Sequence, residues 1–179
     1  MDAIEIIKKY YEESSPLYNI LLTHSESVAQ KALDILKLHP EWNLNSDFVY
    51  ESAILHDIGI YLTSAPSIYC YGKYPYICHG YLGANLLRDE GYPRHALVCE
   101  RHTGAGLSLE MIERLDLPVP RRDMRPQSME EQLICYADKF FSKTNLNNEK
   151  SIERILKSMA KYDVESVAQF NKWHQLFGL

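Results

Sequence analysis

Along most of this chain apolar residues recur three or four positions apart. That spacing constrains the fold more than any other feature, because it leaves one apolar stripe per segment, which helix-on-helix packing buries. Residues 2–13 place Ile4, Ile7, Tyr10 and Tyr11 on one side of a first helix. After Pro16, a second helix over about 17–37 carries Leu17, Ile20, Leu21, Val28, Leu33, Ile35 and Leu36. A third, over about 47–57, takes Ser46 or Asp47 as its cap and stops at Gly59. Further helices are predicted at about 79–89, 93–102, 108–115, 128–143, 148–160 and 163–176, with Ser128-Met129-Glu130-Glu131 reading as a capping box. No stretch alternates as a half-buried strand should. The predicted fold class is therefore all-α. The expectation is a single compact helical domain over residues 1–179, with a motif core at about 17–145 and C-terminal helices at 148–176 packed on it. About seven to nine helices are expected, and 179 residues suffice for one core without staples.

Two segments break the pattern. In residues 60–76, Tyr69, Tyr71, Tyr74 and Tyr76 lie among Pro66, Gly72 and Pro75 with no sustained period. This predicts a long loop, equally a lid over a site or a tyrosine-rich surface loop packed on the core. Residues 116–127 hold three prolines and three arginines and predict an ordered loop. Its Arg121, Arg122 and Arg125 form a basic cluster, read either as phosphate contacts or as a solvated surface.

Charge and cysteine usage narrow the class. The net charge is −5, with no basic block, which argues against a general nucleic-acid surface. The start, Met1-Asp2-Ala3-Ile4-Glu5, is acidic and unlike a secretory signal. Nothing approaches the roughly 20 apolar residues of a membrane span. Cys70, Cys78, Cys99 and Cys135 are scattered without a CxxC pair, so free thiols in the cytoplasm are expected.

The informative chemistry lies in where histidines and aspartates fall on the helical map. His56 and Asp57 end the apolar run Ala53-Ile54-Leu55, and a helix end facing a pocket presents adjacent side chains to one space. His24 lies on the second helix, beside Ser25 and on the side continued by Val28 and Ala32. His79 opens a helix and is followed by Gly80 and Gly83-Ala84, small residues that let backbone approach a crowded centre. His102 ends its helix before Thr103-Gly104. Asp138, within Ile134-Cys135-Tyr136-Ala137-Asp138-Lys139, is an acid on an apolar face, costly unless paired or bound to a metal. Any one of these histidines alone is more often a hydrogen-bonded core residue, and Asp138 alone is accounted for by a pair with Lys139 or Arg101. Together, in the order H…HD…H…H…D, they point to a metal centre. His39, His95 and His174 read as solvated or capping residues. Glu51 and Glu100 are candidates for proton transfer or for orienting a ligand.

In His24-Ser25…Val28-Ala29, Leu55-His56-Asp57-Ile58-Gly59, His79-Gly80…Gly83-Ala84, His102-Thr103 and Ala137-Asp138-Lys139, the chain resembles the HD-domain metal-dependent phosphohydrolase superfamily in its HDIG form. The likeness runs from about His24 to Lys143. It implies that His24, His56, Asp57 and Asp138 hold one metal, and that Asp57 bridges to a second held by His79 and His102. The two additional histidines are similar to the dinuclear branches, and the symmetrical diadenosine-tetraphosphate hydrolases look nearest. The chain departs from many dinuclear relatives in having Ile60-Tyr61 where they carry a lysine soon after the HD pair. It also lacks the Gly-Tyr-Pro arrangement of the cyclic-di-guanylate phosphodiesterases, since Gly91-Tyr92-Pro93 lies elsewhere. No nucleotide substrate is carried over.

The expected activity is cleavage of a phosphate ester or anhydride by a metal-bound hydroxide, on a nucleotide or other small phosphorylated molecule. Iron or manganese is the favoured pair of divalent ions, with zinc, nickel and magnesium as the other candidates. Asp57, Lys139 and Arg101 are the residues expected to act in catalysis, the two cations on phosphoryl oxygens. Two other readings use the same residues: a di-iron oxygenase, and a non-catalytic metal-containing ligand-binding module. The expected partners are the small substrate and a second copy of the chain, with no stable nucleic-acid or membrane association.

Overall fold

The computed structural model describes residues 1–146 and 148–178. Its described residues form nine α-helices: α1 (Ala3–Lys8), α2 (Pro16–Leu38), α3 (Ser46–Leu55), α4 (His79–Asp89), α5 (Pro93–Arg101), α6 (Leu109–Arg114), α7 (Met129–Asp138), α8 (Ile152–Met159) and α9 (Val164–Phe177). Most starts carry a local signal. Side chains of Asp2, Ser15, Asn45, Ser108, Ser128, Ser151 and Asp163 each accept a hydrogen bond from an otherwise orphaned backbone N–H. The cap of α3 is Asn45, not Ser46 or Asp47; its Oδ1 accepts from the Phe48 N–H at 2.9 Å. Ser128 caps α7 as expected, but Glu131 does not return to it. The Glu131 carboxylate accepts from the Gln127 N–H at 2.8 Å and from Arg101.

Helix α2 packs against α3 and α7, and α4 against α5. One continuous apolar core runs from Ala3 and Ile7 through Leu21, Val28, Ile54 and Leu133 to Phe170, Trp173 and Phe177, so α1 and α9 share it with the central helices. A smaller cluster of Cys78, Leu107, Ile112, Val119 and Met124 lies under α6 and the proline-rich segment. Among the described residues no helix is long and apolar enough to cross a membrane.

Three expectations change. Helix α1 stops at Lys8, and Tyr11, beyond it, turns inward so that its hydroxyl donates to the Ile58 carbonyl at 2.7 Å. Helix α7 ends at Asp138, five residues earlier than its pattern implied, and tightens through bonds such as Phe141 N–H to Asp138 O at 3.1 Å. Phe140 leaves the helix to pack on Tyr136 and Phe170, with ring centroids 5.0 and 6.1 Å away. Residues 60–76 are not a plain loop. Strands β1 (Thr63–Ala65), β2 (Cys70–Tyr71) and β3 (Tyr74–Pro75) form a small sheet in the order β2-β1-β3, antiparallel on one side and parallel on the other. Strands this short cannot display alternation, and Pro75 is tolerated because β3 is an edge.

Gly59 and Gly83 let two backbones cross in contact. A Cβ on Gly59 would lie 2.3 Å from the His79 carbonyl oxygen and 2.5 Å from the Gly83 nitrogen. A Cβ on Gly83 would meet Cys99 Sγ at 2.6 Å. The α3 end and α4 therefore approach as only glycines permit. Gly59→Ala should lower stability by about 1–3 kcal/mol, as overpacking against fixed backbone does. Urea unfolding of the two proteins measures this, and an unchanged midpoint would contradict the crossing.

Candidate metal centre

The last residues of three elements and the first of a fourth deliver the site. His56 and Asp57 follow α3, His102 follows α5, His79 opens α4 and Asp138 closes α7. His24, in the middle of α2, completes the set. Helix ends let side chains project along the helix axis into a common space, and the five elements meet there.

Asp57 is fully buried, and its two carboxylate oxygens face different partners. Oδ2 lies 3.0 Å from His56 Nε2 and 3.2 Å from His24 Nε2. His24 Nε2 in turn lies 3.0 Å from Asp138 Oδ1, and His56 Nε2 lies 3.5 Å from it. Oδ1 lies 3.4 Å from both His79 Nε2 and His102 Nε2, which are 3.0 Å apart. The donors thus fall into two groups that share Asp57: His24, His56, Asp57 and Asp138, and Asp57, His79 and His102. Within each group the donor atoms lie within 4.8 Å of one another.

These residues fit a bound cation. His56 Nε2 and both Asp57 oxygens are buried yet make no aligned hydrogen bond, while His24 Nε2 lies within hydrogen-bond distance of Asp138 Oδ1, and His79 Nε2 of His102 Nε2. Ligands about 2.1 Å from a shared ion and at right angles to each other would sit about 3 Å apart, the spacing found here. The other ring nitrogens are tied down. Nδ1 of His56, His79 and His102 bonds the carbonyl of the residue three earlier (Ala53, Tyr76 and Cys99) at 2.6, 2.6 and 2.7 Å. A ring nitrogen that donates to a carbonyl fixes the tautomer that leaves Nε2 free to ligate.

Charge agrees with geometry. Burial works to raise the pKa of Asp57, but His56 and Lys143 hold it well below the usual carboxylate range. Burial also opposes ionisation of Asp138, yet Lys139 and His24 hold it well below as well. Burial lowers His79 to about 3 and also lowers His102, so both are neutral imidazoles, the form that binds metal. His56 behaves oppositely. Burial pushes it down, but the Asp57 charge and bonds to Asp138 and Asp57 lift it to about 9. The two acids demand positive charge at that nitrogen, which a proton or a metal ion satisfies.

All six residues expected as ligands come together. Lys139 joins them: its Nζ lies 2.7 Å from Asp138 Oδ2 and donates to the His102 carbonyl at 3.2 Å. Arg101 does not. Its guanidinium pairs with the buried Glu131 carboxylate at 3.0 Å, which the sequence could not distinguish from a turn toward the site. Glu51 pairs with the N-terminal amine and with His95, and Glu100 is held by Arg88 and Arg122. His95 is thus a partly buried partner against Phe48, not a solvated residue. Arg121 and Arg125 pair with Asp116 and Asp123.

The sequence reading missed Lys143. Its Nζ lies 2.5 Å from Asp57 Oδ2 and 6.0 Å from the Tyr76 ring centroid, and Tyr76 stacks on His79 at 4.7 Å. Within a helix running to residue 143, Lys143 would have pointed well away from Asp138; the early end of α7 brings it back. A cavity of about 340 Å³ is lined by His24 and Asp138 of this centre together with Lys139, Lys143, Ala65, Ser67 and Tyr76. The segment over residues 60–76 is therefore a wall of the site.

The HD-domain family matches residues 21–142, about two thirds of the chain. The chain belongs to the HD-domain family. Three relatives of this HD domain follow. An uncharacterized protein of Methanocaldococcus jannaschii is 30% identical over 170 residues, covering 86% of this chain and 90% of that protein. A tRNA (cytidine(56)-2'-O)-methyltransferase of Thermoplasma volcanium is 28% identical over 155 residues, covering 86% of this chain but 41% of that protein. The tRNA (cytidine(56)-2'-O)-methyltransferase of Picrophilus torridus is 30% identical over 135 residues, covering 75% of this chain and 35% of that protein. The HD domain thus spans well under half of either methyltransferase. No solved structure gives a significant match.

Asp57 is the one side chain both donor groups need. Asp57→Ala should bring bound metal to background while the circular dichroism of a helical protein persists. Metal analysis after dialysis tests this, and full metal content in the variant would refute the shared role.

Proposed function

We propose that this HD domain is a phosphohydrolase that holds two divalent ions and cleaves a phosphate ester or anhydride of a small molecule. The reading is carried by Asp57, whose two oxygens address two donor groups, one of which reaches a lysine-lined cavity through His24 and Asp138. Bound there, a metal pair supplies Lewis-acid charge and lowers the pKa of a coordinated water toward neutrality. Iron or manganese suits a mixed set of imidazoles and carboxylates.

The chain's own residues supply the rest. The four-donor group is the more complete and reaches the cavity through His24 and Asp138; the buried three-donor group of Asp57, His79 and His102 supplies fewer protein ligands, as catalytic sites do. Lys139 and Lys143 are ammonium groups at the cavity floor, each against a ligand carboxylate. They place positive charge beside the phosphoryl oxygens, where charge builds as the phosphorus–oxygen bond to the leaving group breaks. The Lys139 bond to the His102 carbonyl ties this cation to the end of α5. Arg101 has no part in this arrangement.

Two measurements test the reading. Chelation should abolish hydrolysis of a panel of monoesters, diesters and anhydrides, read by chromatographic separation of the products, and manganese or ferrous ion should restore it. Lys139→Ala should then lower kcat by about 10–100-fold, in the range of one lost electrostatic contact, with metal content unchanged. A metal-replete protein that hydrolyses no member of the panel would overturn the assignment.

A further inference from the structure

The cavity holds a third lysine that the chemistry above does not use. Lys150 lines the same space as Lys139 and Lys143, with the hydroxyls of Ser142 and Thr144 nearby. Its backbone is pinned there: the Lys150 N–H donates to the Phe140 carbonyl at 2.7 Å, just past the end of α7. Lys139 lies against Asp138 and Lys143 against Asp57, so those two ammonium groups already face acids. Lys150 has no ion-pair partner among the described residues. Burial lowers its pKa, as do the neighbouring charges of Lys139 and Lys143, with Asp138 opposing. The three cations are thus close enough to repel, and a partly buried ammonium without a counter-charge is costly unless a ligand supplies one.

Resting on the hydrolase reading, we propose that Lys150 is a specificity-determining residue that binds a second anionic group of the substrate, next to the phosphoryl group that is cleaved. The substrate is then a compact molecule with two anionic groups, a diphosphate or a phosphorylated acid. A cavity of about 340 Å³ limits how far apart the two groups lie. It sits at the small end of the roughly 300–1,000 Å³ typical of ligand sites. Ser142 Oγ and Thr144 Oγ1 hydrogen-bond to each other at 3.0 Å, which leaves one of the two hydroxyls free to donate to the same group. Lys139 and Lys143, engaged with the ligand carboxylates, serve the reacting phosphoryl group instead.

The test compares the manganese-loaded protein with its Lys150→Met variant, titrated calorimetrically with methylphosphonate, methylenediphosphonate and phosphonoacetate. The wild type should bind at least one of the two doubly anionic probes about tenfold or more tightly than methylphosphonate, about 1.4 kcal/mol by the affinity relation. Which probe gains identifies the second group as phosphate-like or carboxylate. In Lys150→Met the ratio should fall to about twofold or less, with metal content and methylphosphonate affinity unchanged. An unaltered ratio in the variant, or no preference in the wild type, overturns the proposal. Because binding is read directly, a protein that hydrolyses nothing but keeps the Lys150-dependent preference would sink the hydrolase reading alone.

Discussion

An ionised carboxylate with no solvent exposure is the constraint around which this protein is organised. Moving such a group out of water costs several kcal/mol even after relaxation, unless positive charge and donors surround it. Asp57 is surrounded by four imidazoles and the Lys143 ammonium, and neither of its oxygens has an aligned hydrogen bond. Asp138 repeats the arrangement with Lys139. Two acids are thus offset by two lysines before any dication is counted. Each metal ion added makes the centre more positive, and this suits an anionic substrate even in a chain whose net charge is −5.

The scaffold holds this centre rigid by several small devices. Gly59 and Gly83 bring the chain after α3 against α4, setting His79 opposite Asp57. The buried thiols of Cys99 and Cys135 donate to the carbonyls of His56, at 3.0 Å, and His102, at 3.2 Å. Burial pushes Cys99 far up and Cys135 to about 12, so both stay protonated. They act as weak donors that fix ligand backbone, not as ligands. Ala65 of β1 and the neighbouring Ser67, Ile68 and Tyr76 line the cavity, and Gly72 fits against Leu62 and Thr63 where no side chain has room.

What could be read early was whatever one residue type in one local pattern reports. Helix positions followed from apolar spacing, and α4 starts and ends where its pattern does. The six candidate ligands stood out because ionisable groups in apolar helical surroundings need an explanation wherever they occur. Contacts set by distant partners did not show. Arg101 sits one residue before a ligand, and only the position of Glu131, thirty residues on, turns it aside. Strands of two or three residues carry no readable period.

The amino-acid order by itself determined the helical class, the small residues at the start of α4 and the identity of the candidate donor set, because these depend on periodicity and on side-chain chemistry that any local context preserves. Tertiary structure alone decided which cations serve the centre. The apolar pattern runs on to residue 143, but α7 ends at Asp138, where the Phe141 N–H bonds to the Asp138 carbonyl three residues back, and Phe140 packs on Phe170, thirty residues on. Lys143 thereby reaches Asp57. A contact set by so distant a partner leaves no local pattern, and that is why the most intimate positive charge in the site had no signature in the sequence.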